Sequence, residues 1–295
     1  MMTSLHAFPD EAEQARRLAH AAGLKLSMVQ THIFPDGECL PRAPNPSHIA
    51  IVYRSLDRPN AKLVELLLAA DAWRRMGAQR LVLVAPYLPY MRQDKVFHTG
   101  EPNSQRVIAA LLDGAFDRIV TVDPHLHRTH ALNDVFHLAA CTHVHGSEAL
   151  IPFLRNQPGE KKRVIVGPDV ESAPWVRSIA APLGLESLVL TKQRRGDREV
   201  EISHPAGLDW SGKEALLIDD ICSTGSTLRQ AARALRFAGC TSISIYVTHA
   251  LCGPEDLKAL QAEGVERVIS SDSCTHPTNA VHLASALAAT LADEG

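Results

Sequence analysis

The most pointed chemical pattern in the chain is LLIDDICSTGSTLRQAARAL, residues 216–235. Three apolar residues lead into Asp219 and Asp220, a short run of Ser, Thr and Gly follows, and helical spacing then begins. The apolar run reads as a buried strand, and open α/β sheets bind ligands beyond the carboxyl ends of their strands. The loop Ser223–Thr227 thus enters a helix N-terminus, where backbone N–H groups and the helix dipole favour an anion. Gly225 allows a positive φ and a close backbone approach. Ser223, Thr224, Ser226 and Thr227 add hydroxyl donors. Carboxylates repel a phosphate, so Asp219 and Asp220 suit sugar hydroxyls or a metal ion instead. A diol partner beside a phosphate cradle describes a pocket for ribose 5-phosphate. The plainer reading, a Ser/Thr helix cap after an acidic strand end, does not account for two aspartates placed directly ahead of the loop.

Other segments hold reactive residue types at strand ends. FPDGECLPR (34–42) contains the turn Asp36-Gly37-Glu38. PYLPYMRQDKVFHTGEPNSQ (86–105) places Arg92, Gln93, Asp94 and Lys95 just past a strand. TVDPHLHRTH (121–130) puts Asp123 and three histidines beyond another, GPDVES (167–172) holds Asp169, and TKQRR (191–195) holds Lys192, Arg194 and Arg195. On a strand, His125 and His127 would share a face and could bind one ion. Pro124 precedes them and no carboxylate-rich second cluster follows, so they read as polar loop residues. His143, His145 and His249 have no assigned role. Arg16-Arg17 and Arg74-Arg75 read as solvated helix faces, and Trp73, Trp175 and Trp210 as packing residues.

The elements that position these residues alternate strand and helix. Strands are expected at 48–56, 80–90, 117–125, 162–169, 186–192, 213–220 and 242–252, with an extra strand pair near 197–205. Helices are expected at 60–78, 104–115, 173–184 and 226–238. This alternation is the signature of parallel sheets with helices on both faces. The fold class is therefore α/β with two domains, each a mainly parallel sheet flanked by helices. The weakest join is 144–162, with Gly and Pro near both ends, which gives domains 1–145 and 146–295. A last helix near 281–292 is expected to pack back on the first domain.

The whole chain bounds the function. Its 295 residues suit two domains, and 45% apolar residues suffice for their cores. A net charge of −3 gives no general affinity for nucleic acid. No apolar run reaches the ~18 residues that span a membrane. The polar start MMTSLHAFPDEAEQARRLAH is not a secretory signal. Six scattered cysteines without a C-x-x-C pair read as reduced thiols in a cytoplasm.

DDICSTGST resembles the phosphoribosyl-binding motif of the type I phosphoribosyltransferase superfamily. Together with DGE, the Arg-Gln-Asp segment, DPH, GPD and TKQRR, it resembles the ribose-phosphate pyrophosphokinase family over residues 30 to 250. The compact segment after Lys192 is similar to the archaeal-type branch. The resemblance implies two phosphoribosyltransferase-like domains. It implies transfer of the β,γ-pyrophosphoryl group of ATP to the 1-hydroxyl of ribose 5-phosphate, giving phosphoribosyl pyrophosphate and AMP. It places ATP contacts at Asp36, Gly37, Glu38, Arg92, Gln93 and Asp94, and Mg²⁺ at His125 and Asp169. Lys192 and Arg194 become the catalytic pair on a short loop after a strand. Asp219, Asp220 and Ser223–Thr227 become the ribose 5-phosphate site. Asp36–Glu38 donated by a neighbour implies a homo-oligomer sharing its ATP site. Departures at STGST and GPDVES bear on regulation rather than on the reaction. A plain phosphoribosyltransferase would leave Arg92-Gln93-Asp94 and a second domain unexplained, and a non-catalytic regulatory subunit would be expected to lack Lys192, Arg194, His125 or Asp169.

Overall fold

The computed structural model describes residues 2–126, 131–157, 162–195, 199–202 and 208–294, with the side chains of 192–195 and 199–202 excepted. The chain divides into two compact units. The first is Met1–His145 with Ser273–Thr275 and His282–Gly295, and the second is Gly146–Asp272 with His276–Val281.

In the first unit a six-stranded sheet has the order β2-β1-β5-β6-β7-β8. These strands are β1 Thr3–Ala7, β2 Leu26–Met28, β5 Ile49–Tyr53, β6 Arg80–Val84, β7 Arg118–Val122 and β8 Ala140–Val144. Every pairing is parallel. The hairpin β3 Gln30–Ile33 and β4 Cys39–Arg42 is a separate antiparallel pair. Strands such as IAIVY are buried along their whole length, as expected when helices cover both faces. The helices are α1 Ala12–Ala22, α2 Pro59–Arg75 and α3 Ser104–Asp113. Pro59 opens α2 where its missing N–H costs nothing, and Arg74 and Arg75 close it at the negative end of the dipole.

Trp73 on α2 is fully buried, and its indole N–H donates to the Pro44 carbonyl at 3.1 Å. The core around it includes Leu66, Leu81, Leu83 and Phe116. Burying each such side chain contributes roughly 1.5–3 kcal/mol. The carboxylate of Asp113, at the end of α3, accepts from the backbone N–H groups of His137, Leu138 and Ala139. Burial alone would raise this carboxyl, but the three donors outweigh it and hold it below the usual range. That clamp fixes the chain as it enters β8.

The terminal helix α8, Ala284–Thr290, belongs to the first unit. Glu294 beyond it accepts from Arg80 at 2.8 and 2.9 Å and from Arg118 at 2.9 Å.

The second unit repeats the plan with the order β10-β9-β13-β14-β15-β16, again wholly parallel. Its strands are β9 Arg163–Gly167, β10 Glu186–Val189, β13 Glu214–Cys222, β14 Ser242–Ala250, β15 Val265–Ser271 and β16 Asn279–Val281. Its helices are α4 Ser147–Arg155, α5 Ala173–Leu183, α6 Ser226–Phe237 and α7 Pro254–Ala262. Alternation along the strands feeds both faces. Val164, Val166 and Leu217 join the core under α6, while Ile165, Leu216 and Ile218 join the core under α4 and α5.

Two local features differ from the sequence reading. Residues 192–195 form a strand, β11, paired antiparallel with β12 Glu199–Ile202, rather than a loop. Residues 147–155, read as part of a weak join, form α4, with Glu148 in its first turn and Arg155 in its last.

Candidate functional site

The second unit shows how the sheet exposes the aspartates. β13 pairs with β9 only as far as Leu217 against Val166, but with β14 as far as Cys222 against Ala250. Residues 218–222 therefore overhang β9 on one flank while staying fixed on the other. Asp219 and Asp220 lie on this overhang, within the strand rather than at its end. Asp220 is buried, and Asp219 keeps a face open to solvent.

β9 ends at Gly167, where a side chain would start 2.0 Å from Ser172 Oγ. Glycine is thus required, and the chain turns tightly through Asp169, whose Oδ1 accepts from the Glu171 N–H at 3.2 Å. This turn brings Asp169 near enough to act electrostatically on Asp219. Dense surroundings, then the charges of Asp220 and Asp169, push the Asp219 carboxyl well above the usual range. Three carboxylates at one sheet edge invite hydroxyl donors or a hard cation.

The loop after β13 leads to α6. Gly225 has φ +67° and precedes the first residue of that helix. A side chain there would meet Leu260 Cδ1 at 3.4 Å and Cys222 Sγ at 3.6 Å, and would be strained by the positive φ. No side-chain hydrogen bond caps α6. Thr224 and Ser226 are exposed, and Ser223 and Thr227 are partly so. The structure thus groups Asp169, Asp219, Asp220 and Ser223–Thr227 at the carboxyl edge of one sheet.

Lys192 and Arg194 fall two residues apart in β11, paired with Ile202 and Val200. Their side chains lie outside the described residues, as do His127 and His130 altogether.

In the first unit the carboxyl edge carries a different set. Past β6 the chain turns through Tyr90, whose φ is +63° and whose hydroxyl donates to Asn60 at 2.6 Å. Leu88 and Met91 anchor this turn in the core, and Gln105 donates to the Met91 carbonyl. Arg92 and Gln93 are left exposed and Asp94 half-buried. Past β7 come Asp123, buried, and His125, half-buried. Asp36, Gly37 and Glu38 form the exposed tip of the β3–β4 hairpin, with Gly37 at φ +91°. The Asp36 Oδ1 accepts from the Glu38 N–H at 3.1 Å. Ile33, Phe34 and Leu40 beside the tip are exposed apolar residues.

Sequence reasoning missed two clusters. Cys222, Cys252 and His276 meet behind the loop of residues 223–227. The Cys222 thiol donates to Cys252, which lowers Cys252 and raises Cys222. Burial opposes the lowering of Cys252, and His276 assists it. His276 Nε2 lies 4.0 Å from the Cys252 sulfur. All six cysteines are free thiols. The second cluster joins Asp123 to His143 and His145. The His-x-His spacing at 143–145 was its only signal in the sequence.

Comparison with known proteins bears on the family and the fold. Residues 4–115 match the family model described as the N-terminal domain of ribose phosphate pyrophosphokinase, and residues 143–282 match the phosphoribosyl transferase domain. A ribose-phosphate pyrophosphokinase of Methanopyrus kandleri is 35% identical over 271 residues, covering 91% of each chain. One from Thermococcus kodakarensis is 35% identical over 229 residues, covering 77% of this chain and 79% of the relative. The crystal structure of a phosphoribosylpyrophosphate synthetase from Mycobacterium smegmatis superposes with a TM-score of 0.81 at 25% identity, covering 99% of both chains.

Proposed function

We propose a division of labour between the two sheet edges, starting from the premise that the chain belongs to the ribose-phosphate pyrophosphokinase family. It is an enzyme of that type. It transfers the β,γ-pyrophosphoryl group of ATP to the 1-hydroxyl of ribose 5-phosphate, giving phosphoribosyl pyrophosphate and AMP.

The overhang of β13 and the glycine-turned entry to α6 support the sugar phosphate site. Asp219 and Asp220 accept from the ribose hydroxyls. Ser223–Thr227 and the N-terminus of α6 hold the 5-phosphate. The exposed Arg92 and Gln93, with Asp94, bind ATP. A guanidinium suits both the phosphates and the adenine face. Lys192 and Arg194 stabilise charge on the moving diphosphate and the departing AMP. Such preorganised donors act where charge develops, and positioning supplies most of the remaining catalysis.

Magnesium fits the donor set, because the carboxylates around Asp169 offer hard oxygen ligands whose mutual repulsion a cation relieves. Asp169 would hold it in the second unit, and His125 is the metal contact proposed for the first. When bound, it neutralises phosphate charge.

The exposed Ile33, Phe34 and Leu40 suit a contact that lends Asp36–Glu38 to a neighbouring subunit, so the protein is a homo-oligomer sharing its ATP site. Among the described residues no helix is long and apolar enough to cross a membrane. We place the enzyme in the cytoplasm.

The test is phosphorus NMR of purified protein with ATP, Mg²⁺ and ribose 5-phosphate. AMP with a new pyrophosphoryl-sugar signal is expected. ADP in place of AMP would mean transfer of a single phosphoryl group and would contradict the reading.

A further inference from the structure

The first unit holds a second cluster of ligand-type side chains, to which the proposed transfer assigns no role. Asp123 directly follows β7 with φ +34° and is 4% exposed. A left-handed φ at a non-glycine residue is strained and persists only where its surroundings impose it. β8 runs parallel beside β7, with Val122 opposite Val144. Val144 is buried, so the two-residue period puts His143 and His145 together on the other face.

Both rings reach the same carboxylate oxygen. His143 Nε2 lies 3.4 Å from Asp123 Oδ1, and His145 Nδ1 lies 3.8 Å from it. The three ligand atoms all fall within 4.8 Å of one another. Donors on one tetrahedral ion, each at about 2.0–2.1 Å from it, stand roughly 3.3–3.4 Å apart. Small ring rotations close the remaining gap. The Asp113 clamp on residues 137–139 fixes the start of β8, which carries His143 and leads directly into His145. Two imidazoles with one carboxylate favour zinc-like cations, whereas magnesium takes oxygen ligands. The rings stay partly open, at 34% and 59% exposure, which leaves coordination positions for water.

We propose that Asp123, His143 and His145 form a binding site for one divalent transition-metal cation of the zinc class, separate from the magnesium contact at His125.

The test uses the full chain, stripped of metal and titrated with Zn²⁺ by calorimetry and with Co²⁺ by visible absorption, both with millimolar Mg²⁺ present. One site per chain is expected, undisplaced by Mg²⁺. His143→Ala and His145→Ala should each weaken it by at least ~10-fold, and His125→Ala should not. Both histidines are partly exposed, so these variants are expected to fold, which circular dichroism checks. Three outcomes overturn the proposal: no binding, equal competition by Mg²⁺, or binding that survives both His143→Ala and His145→Ala and is lost with His125→Ala. The readout is metal binding, so absent turnover would leave it intact.

Discussion

The two sheets share one architecture and expose different chemistry at their carboxyl edges. In the second unit the edge gathers Asp169, Asp219 and Asp220 beside an uncapped helix start. In the first unit it presents Arg92, Gln93, His125, His143 and His145 around Asp94 and the buried Asp123. Here the interior cations are matched within the unit. Arg54, just past β5, pairs with Asp10 and Glu65 and lies 4.1 Å over the Phe8 ring, and Lys62 pairs with Glu11 and Asp57. A parallel sheet therefore supplies a place for ligands, while the residues just beyond each strand decide which ligand. An edge rich in carboxylates and hydroxyls suits a sugar phosphate, and one rich in guanidinium and imidazole suits a nucleotide.

Substitutions that erase one edge and spare the other probe this contrast. The largest effect is expected from Lys192→Ala. Removing one preorganised cation should lower kcat by about 10²–10³ with little change in either KM, as read in steady-state kinetics. Next comes acid stability of the first unit. Burial holds His6, whose ring centroid lies 5.1 Å from that of Trp73, down at about 4. A depressed imidazole contributes stability that is complete above pH 6.5 and lost as pH falls towards 4, up to about 3 kcal/mol. Urea unfolding across that window should show the loss, and His6→Phe should flatten it.

A smaller effect of opposite sign belongs to the second unit. The raised Asp219 carboxyl means that the native state holds its proton more tightly than the unfolded chain. Stability is then lost as pH climbs from about 4 towards the raised value. Asp219→Asn should raise Tm at neutral pH, with the gap closing below about pH 4, while ribose 5-phosphate binding falls. An unchanged Tm at pH 7 would contradict the crowding of carboxylates described here.

The turn from β13 into α6 was legible because its signal is local: an apolar run, two acids, then small residues at a helix start. The two parallel sheets were legible from alternation of strand and helix. Strand ends were placed too far along, as at 80–90 against Arg80–Val84, because the apolar residues Leu88 and Met91 anchor a turn rather than extend a strand. Of the hairpin that begins at Lys192 only the first strand, Lys192–Arg195, escaped, because Lys-Gln-Arg-Arg has no apolar residue; its partner β12 falls within the strand pair expected near 197–205. The cluster of Asp123 with His143 and His145 depends on the pairing of β7 with β8, a contact across twenty residues. Local spacing pointed instead to His125 and His127. The Cys222, Cys252 and His276 grouping is likewise made by tertiary contact alone.

The division between the edges is tested most directly by paired Michaelis constants for Gly225→Val and Arg92→Ala. A valine at 225 meets Leu260 and Cys222 and strains a positive φ, so the proposed anion cradle is distorted. Its KM for ribose 5-phosphate should rise by at least ~10-fold with KM for ATP nearly unchanged, and Arg92→Ala should do the reverse. If both substitutions raised the same constant, or each raised both equally, the assignment of one substrate to each edge would be wrong.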